Sequence, residues 1–206
     1  MPTLLHLDSS PLTSSVSREL SREFVKSWKA AHPDGRVLSR NLNENSAPPV
    51  DEAWVYAAFT PEESRTPEQK AALALSDKLV DELLSADEIV LGVAMYNFSI
   101  PAVLKLWIDQ ISRAGRTFTF SSNGPEGLVK GRKATILVAS GSVYEPGSAF
   151  APYNFVDPYL KTFLGFIGIT DVAIVSAGGT SGLMSGAVTR EALLAPALAK
   201  VREIAA

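Results

Sequence analysis

"EIVLGVAMYNFSIPAVLKLWIDQISRAG", residues 88 to 115, changes its periodicity partway along. Residues 88 to 94 are almost continuously apolar and rich in β-branched side chains, the pattern of a strand buried on both faces. From Pro101 onward the apolar residues recur at helical spacing. Pro101 suits a first helical turn, Ser99 an N-cap and Gly115 the position just past a helix end, so the spacing predicts a helix over 101–114. Residues 95 to 98 must then turn at the edge of a sheet.

On either side of this stretch, four further runs read as strands: "TLLHLD" (3 to 8), "GRVLSRNL" (35 to 42), "ATILVAS" (134 to 140) and "DVAIVSA" (171 to 177). Helical patterns lie between and after them, at 15 to 31, 67 to 85, 158 to 168 and near 185 to 205. Strands alternating with helices predict an α/β fold, a doubly wound five-stranded parallel sheet with helices on both faces. Five strands favour the flavodoxin-like order 2-1-3-4-5 over the six-stranded dinucleotide sheet. Ligands of such sheets bind beyond the carboxyl ends of the strands, which directs attention to loops 8 to 17, 94 to 101 and 139 to 147. Two excursions interrupt the pattern: the Pro-rich segment 43 to 66, and 117 to 133, which reads as hairpin-like through an Asn123-Gly124 turn. Excursions of this length often serve as lids or subunit contacts.

Composition narrows the function classes. A length of 206 residues fits a single domain over 1–206, and 46% hydrophobic residues supply a sizeable core. A net charge of -3 without basic runs leaves no footprint for nucleic acid or an anionic membrane. No segment approaches the roughly 20 apolar residues of a membrane span, and the start of the chain lacks the pattern of a signal peptide, so a cytoplasmic location is expected. Without cysteine, and with only His6 and His32, thiolate chemistry is excluded and a histidine metal cluster is not expected.

The three loops carry distinct chemistry. The first, "SSPLTSSVSREL" from Ser9 to Leu20, has no glycine, so it lacks the dinucleotide fingerprint. Its Ser10, Ser15 and Ser17 either cap the following helix or turn hydroxyls and amides toward a terminal monophosphate at the positive end of the helix dipole. In the second, Met95, Tyr96, Asn97 and Phe98 form an amphipathic wall suited to a planar heterocycle, unless the apolar three simply fill the core. In the third, "ASGSVYEPG", small residues permit close backbone approach. Brought to one edge by the topology, the three together describe an FMN site.

"MYNFSIPAVLKLWIDQISRAGRTFTF", followed by "NGPEGLVKGRKA" and "LKTFLGFIGITDV", resembles the bacterial FMN-dependent NADH azoreductases, relatives of the NAD(P)H quinone reductases. The resemblance extends over nearly the whole chain. It implies a homodimer with one FMN per subunit, in which NADH or NADPH reduces the flavin and leaves before a quinone or azo compound takes the electrons. Carried over by residue, the phosphate loop falls on Ser10, Ser15, Val16 and Ser17, and the flavin-ring loop on Met95, Tyr96, Asn97 and Phe98. The third flavin loop, usually close to Ser-Arg-Gly-Gly, falls on Ser140, Gly141, Ser142 and Val143, so a cation and a glycine are lost. Phe118, Phe120 and Phe163 fall in segments that in the family approach the open flavin face, where they would hold a flat acceptor; packing within the chain or the dimer is the competing role. The flavin carries the chemistry, and no catalytic acid, base or nucleophile is required. Two rival functions are a flavodoxin-type electron-transfer protein, which the modest charge disfavours, and an acyl carrier protein phosphodiesterase, for which no hydrolytic site is visible.

Overall fold

The computed structural model describes residues 1–122 and 124–206. Its main sheet contains β1 (Thr3–Asp8), β2 (Arg36–Asn41), β3 (Glu88–Ala94), β6 (Lys133–Ala139) and β7 (Asp171–Ala177), all parallel, in the order β2-β1-β3-β6-β7. Counting only these five strands, that is the expected 2-1-3-4-5. The remaining strands, β4 (Phe118–Ser121) and β5 (Gly124–Gly127), pair antiparallel as a separate hairpin. The Asn123-Gly124 turn read from the sequence includes Asn123, which lies outside the described residues.

Period-two alternation sorts the strand side chains onto two faces. Leu5, Leu7, Ile89, Leu91, Val93, Ile136 and Val138 point to one face, beneath α3 (Pro67–Ser85), α4 (Ala102–Ile111) and α5 (Asp157–Ile167). On the other face Leu4, Val90, Leu137 and Val175 meet α1 (Val16–Ala31) and α7 (Arg190–Ile204). His6, Asp8 and Gly92 alternate onto this second face, directly under α1.

Several boundaries differ from the expected ones. The Pro-rich excursion contains α2 (Glu52–Phe59), capped by Asp51 accepting from the Trp54 amide at 2.8 Å. The C-terminal helix begins only at Arg190, after a short α6 (Ser181–Ser185). Helix α4 is shorter than 101–114. Pro101 occupies its N-cap position, and Ser99 is instead consumed in a tight turn: the Tyr96 amide donates to the Ser99 carbonyl and the Ser99 amide to that of Tyr96, each at 3.0 Å. At the other end the helix stops at Ile111, and Gly115 lies in the loop beyond with φ +79° rather than capping it.

The hairpin docks on the end of α5 through backbone contact. A Cβ added at Gly127 would lie 2.1 Å from the Gly168 nitrogen and 2.2 Å from the Ile167 carbonyl carbon, so only glycine permits this approach.

Candidate active site at the carboxyl edge of the sheet

The loops after β1, β3 and β6 leave the sheet at its carboxyl edge. The Ser9 amide donates to the Gly92 carbonyl at 3.1 Å, and the Met95 amide to that of Ala139 at 2.8 Å, which fixes the three strand ends side by side. A cavity of about 560 Å³ opens between the first two loops, lined by Ser9, Pro11, Tyr96, Asn97 and the start of α4. Phe98 and Tyr144 approach edge to face with centroids 6.5 Å apart, joining the second loop to the third.

At the entry to α1, Ser15 has the backbone position of an N-cap, but its side chain makes no capping bond. Its hydroxyl pairs instead with that of Ser17 at 2.9 Å. Simple capping therefore does not account for these serines, and among the described residues no side-chain cap closes the N-terminus of this 16-residue helix, which leaves its dipole open. Val16 and Ser17 are buried, as is Ser10, whose hydroxyl accepts from the Leu12 amide at 3.3 Å. The donors and the positive pole fit a terminal phosphate.

Arg18 was not singled out from the sequence. It is buried in the first turn of α1, where a cation opposes the dipole, and that unfavourable placement was the available signal. Its Nε and Nη2 donate to the Ser10 carbonyl at 3.1 and 2.7 Å, and Nη2 also donates to Asn41 Oδ1 at 2.7 Å. One guanidinium thus ties the first loop to the end of β2.

Asp8 closes the floor of this loop. Its Oδ1 accepts from the Ser21 hydroxyl at 2.8 Å and lies 3.4 Å from His6 Nε2. Gly92 makes room for it, since a Cβ there would meet that oxygen at 2.6 Å. Burial alone would raise the Asp8 pKa, but the contact with His6, the Ser21 hydroxyl and the nearby Arg18 charge outweigh it and hold the carboxyl below its ordinary value. A depressed folded-state pKa contributes stability that is complete above the unfolded value, near pH 4, and disappears as pH falls through the folded one. Acid titration of unfolding free energy is therefore expected to show a shallower loss below pH 4 in Asp8→Asn than in the unaltered protein; parallel curves would remove Asp8 from the acid response.

The second loop is strained. Asn97 and Phe98 have φ of 49° and 72°, a region Asn tolerates and Phe disfavours. Such a conformation costs on the order of 1–3 kcal/mol and clusters at functional sites. Tyr96 and Phe98 are exposed, while Met95 packs against the core. In the third loop, Ser140, Gly141, Ser142 and Val143 need no positive φ, so the loss of a glycine there costs no backbone strain. The Ser140 carbonyl accepts from the Thr180 amide and hydroxyl, and the Gly141 carbonyl from those of Ser181, at 2.7 to 3.1 Å. A Cβ at Gly141 would touch nothing within 4 Å, which leaves open space beside this loop.

The other aromatic candidates pack on the hairpin, on α5 and on the main core, which Met95 of the second loop also joins. Phe118 is buried against Phe120 and Phe166, with centroids 5.5 and 4.7 Å away, Phe120 projects from the hairpin, and Phe163 packs on the main core.

A family model described as "Flavodoxin-like fold" matches residues 2–204. An FMN-dependent NADH:quinone oxidoreductase of Acidobacterium capsulatum is 59% identical over 206 residues, covering 100% of both chains. The chain belongs to this flavodoxin-like oxidoreductase family. A second family member, the FMN-dependent NADH:quinone oxidoreductase of a Nostoc species, is 49% identical over 199 residues, covering 96% of this chain and 95% of its own. Among solved structures, azoreductase from Bacillus anthracis str. Sterne superposes with a TM-score of 0.89 at 30% identity, covering 100% of this chain and 99% of its own. An FMN-dependent NADH-azoreductase of Bacillus anthracis str. Ames Ancestor, in complex with FMN, gives 0.87 at 28% identity, covering 98% and 97%.

Proposed function

We propose that this flavodoxin-like oxidoreductase uses FMN and NADH or NADPH to reduce quinones and to cleave aromatic azo compounds. The observation that carries the reading is the convergence at one sheet edge of an uncapped helix N-terminus, a strained aromatic turn and an open small-residue loop. Ser10, Ser15, Val16 and Ser17 would hold the phosphate. Met95, Tyr96, Asn97 and Phe98, with Ser140, Gly141, Ser142 and Val143, would hold the flavin ring. When bound, FMN supplies two-electron transfer from the nicotinamide to the acceptor, so the four electrons of azo cleavage take two rounds.

The protein's own contribution is placement. Neutral hydroxyls and amides at the head of α1 bind the phosphate without titrating in the working range. The Asn97 amide offers both a donor and an acceptor to ring heteroatoms, while Tyr96 and Phe98 supply flat surface.

The chain works as one unit over residues 1–206 and as a homodimer in the cytoplasm. Support for the dimer comes from α2, which exposes Val55, Tyr56 and Phe59, and from the exposed Phe120. A second copy would cover these side chains, and in that assembly Phe118, Phe120 and Phe163 would act on the acceptor. Among the described residues no helix is long and apolar enough to cross a membrane.

The test is an absorbance spectrum of dialysed protein, followed by anaerobic NADH and then benzoquinone. Flavin bands that bleach with NADH and return with quinone are the expected result. Protein that neither binds added FMN nor oxidises NADH overturns the reading.

A further inference from the structure

Beyond Val143 the chain folds back over the strained turn. The Phe155 amide donates to the Phe98 carbonyl at 3.1 Å, and the Ser148 hydroxyl donates to that of Val143 at 2.9 Å. This brings four rings into a closed circuit. Phe98 lies 5.5 Å from Tyr153 and 6.5 Å from Tyr144, while Phe150 lies 5.8 Å from Tyr144 and 6.5 Å from Tyr153. None of the four belongs to either large core cluster. Phe98, Phe150 and Tyr153 remain 45%, 45% and 49% exposed.

Packing within the chain does not explain the arrangement. A core role would bury these rings, and a surface role would not place four of them in mutual contact. Phe98 also reaches the circuit from a backbone conformation its side chain disfavours, so the turn spends conformational energy to present that ring. The rings meet one another at interplanar angles of 37° to 67°, and it is their exposure that leaves ring surface for a further aromatic group.

We infer that Phe98, Tyr144, Phe150 and Tyr153 form an acceptor-selecting wall, which holds the distal ring of a multi-ring planar acceptor while its reducible end lies toward the flavin loops. The inference rests on the oxidoreductase reading and deepens it, because the ring circuit joins the proposed flavin turn through Phe98. It makes Tyr144, Phe150 and Tyr153 specificity determinants, a role distinct from holding the cofactor. Fused-ring quinones and diaryl azo compounds are favoured over single-ring quinones.

The test compares benzoquinone, with one ring, and anthraquinone-2-sulfonate, with three, on holoenzyme and on the double variant Phe150→Leu, Tyr153→Leu. Leucine keeps an apolar side chain and removes the flat face. The ratio of kcat/KM for anthraquinone to that for benzoquinone is expected to fall about tenfold, chiefly through KM, with Tm and FMN content retained. The Kd of oxidised holoenzyme for anthraquinone-2-sulfonate without NADH is expected to rise by a similar factor. Single Tyr144→Leu protein checks the result should the double variant fold poorly. An unchanged ratio and Kd overturn the inference and leave the oxidoreductase reading intact. So does a variant that turns monomeric with its ratio unchanged, since the rings then serve a subunit contact. Unaltered protein that reduces neither quinone overturns both.

Discussion

Arg18→Met protein is expected to bind FMN with a Kd roughly 10- to 100-fold weaker than the unaltered protein, read from the quenching of flavin fluorescence on titration. The guanidinium donates twice to the Ser10 carbonyl and once to Asn41 Oδ1, so its loss frees the first loop from the end of β2. Hydrogen bonds from a charged donor contribute about 1.5–3 kcal/mol, and a loop released from them must be re-ordered when FMN binds, a cost that taken from the binding free energy gives roughly that range of affinity. The cation also lies in the first turn of α1, next in sequence to Ser17 of the site proposed for a phosphate, and some of the loss should appear as a weaker dependence of Kd on salt. Arg18→Lys keeps the charge but not the planar fork, and should recover only part of the affinity. A purely structural role would lower Tm and leave Kd, measured well below it, within twofold; that result would remove Arg18 from cofactor binding.

Strands β3, β6 and β7 were the most legible part of the fold, because a sheet covered on both sides demands near-continuous apolar runs, and few other segments have them; β2, at the sheet edge and carrying Arg36, Ser39 and Arg40, lacks such a run. The sheet order followed from their number and from the helices between them. Helix α2 was missed for a related reason. "EAWVYAAF" is apolar on almost every side and follows two prolines, so it shows no amphipathic period, and Asp51 was its sole local signal. At the second loop the sequence pointed to the correct residues for a turn but placed Ser99 in a cap. Asn97 tolerates a positive φ and hints at a tight turn, whereas nothing in the identity of Phe98 announces that it adopts one too.

The candidate site was legible where it depends on residue type and hidden where it depends on contact. Hydroxyls before a helix and aromatics after a strand could be read directly. Thr180 and Ser181 act through bonds to carbonyls distant in sequence, Arg18 joins the Ser10 carbonyl to the Asn41 side chain, and the aromatic circuit requires residues 98 and 153 to meet. Such pairings are set by how the loops fold over the sheet edge.

The same distinction between a charge and its surroundings governs the largest expected change in stability, at the junction of α3 with α4. Arg113 is 1% exposed at its side chain, and its Nη1 donates to Ser76 Oγ at 2.7 Å and Asp77 Oδ1 at 2.9 Å. Its guanidinium carbon lies 5.8 Å from the centre of the Trp54 ring, whose Nε1 donates to Gln110 at 2.9 Å. Burial pushes the Arg113 pKa down and Asp77 pulls it back up, so Asp77 supports the charge. Asp77 is 36% exposed and is also held by Arg116 at 3.2 Å. The two partners are therefore unequal. Asp77→Ala strands a buried cation that cannot shed its proton, and a loss of about 3 kcal/mol is expected. For a chain of this size that corresponds to a fall in Tm of roughly 6–12 °C. Arg113→Met removes the cation, fills much of its volume and leaves Asp77 paired with Arg116, so its cost should be nearer 1 kcal/mol. The double variant should then be more stable than Asp77→Ala alone, since the second substitution removes the charge that the first left unpaired. Denaturant unfolding of the four proteins decides the matter, and a double variant less stable than Asp77→Ala would show that Arg113 stabilises the junction by packing and hydrogen bonding rather than needing its counterion.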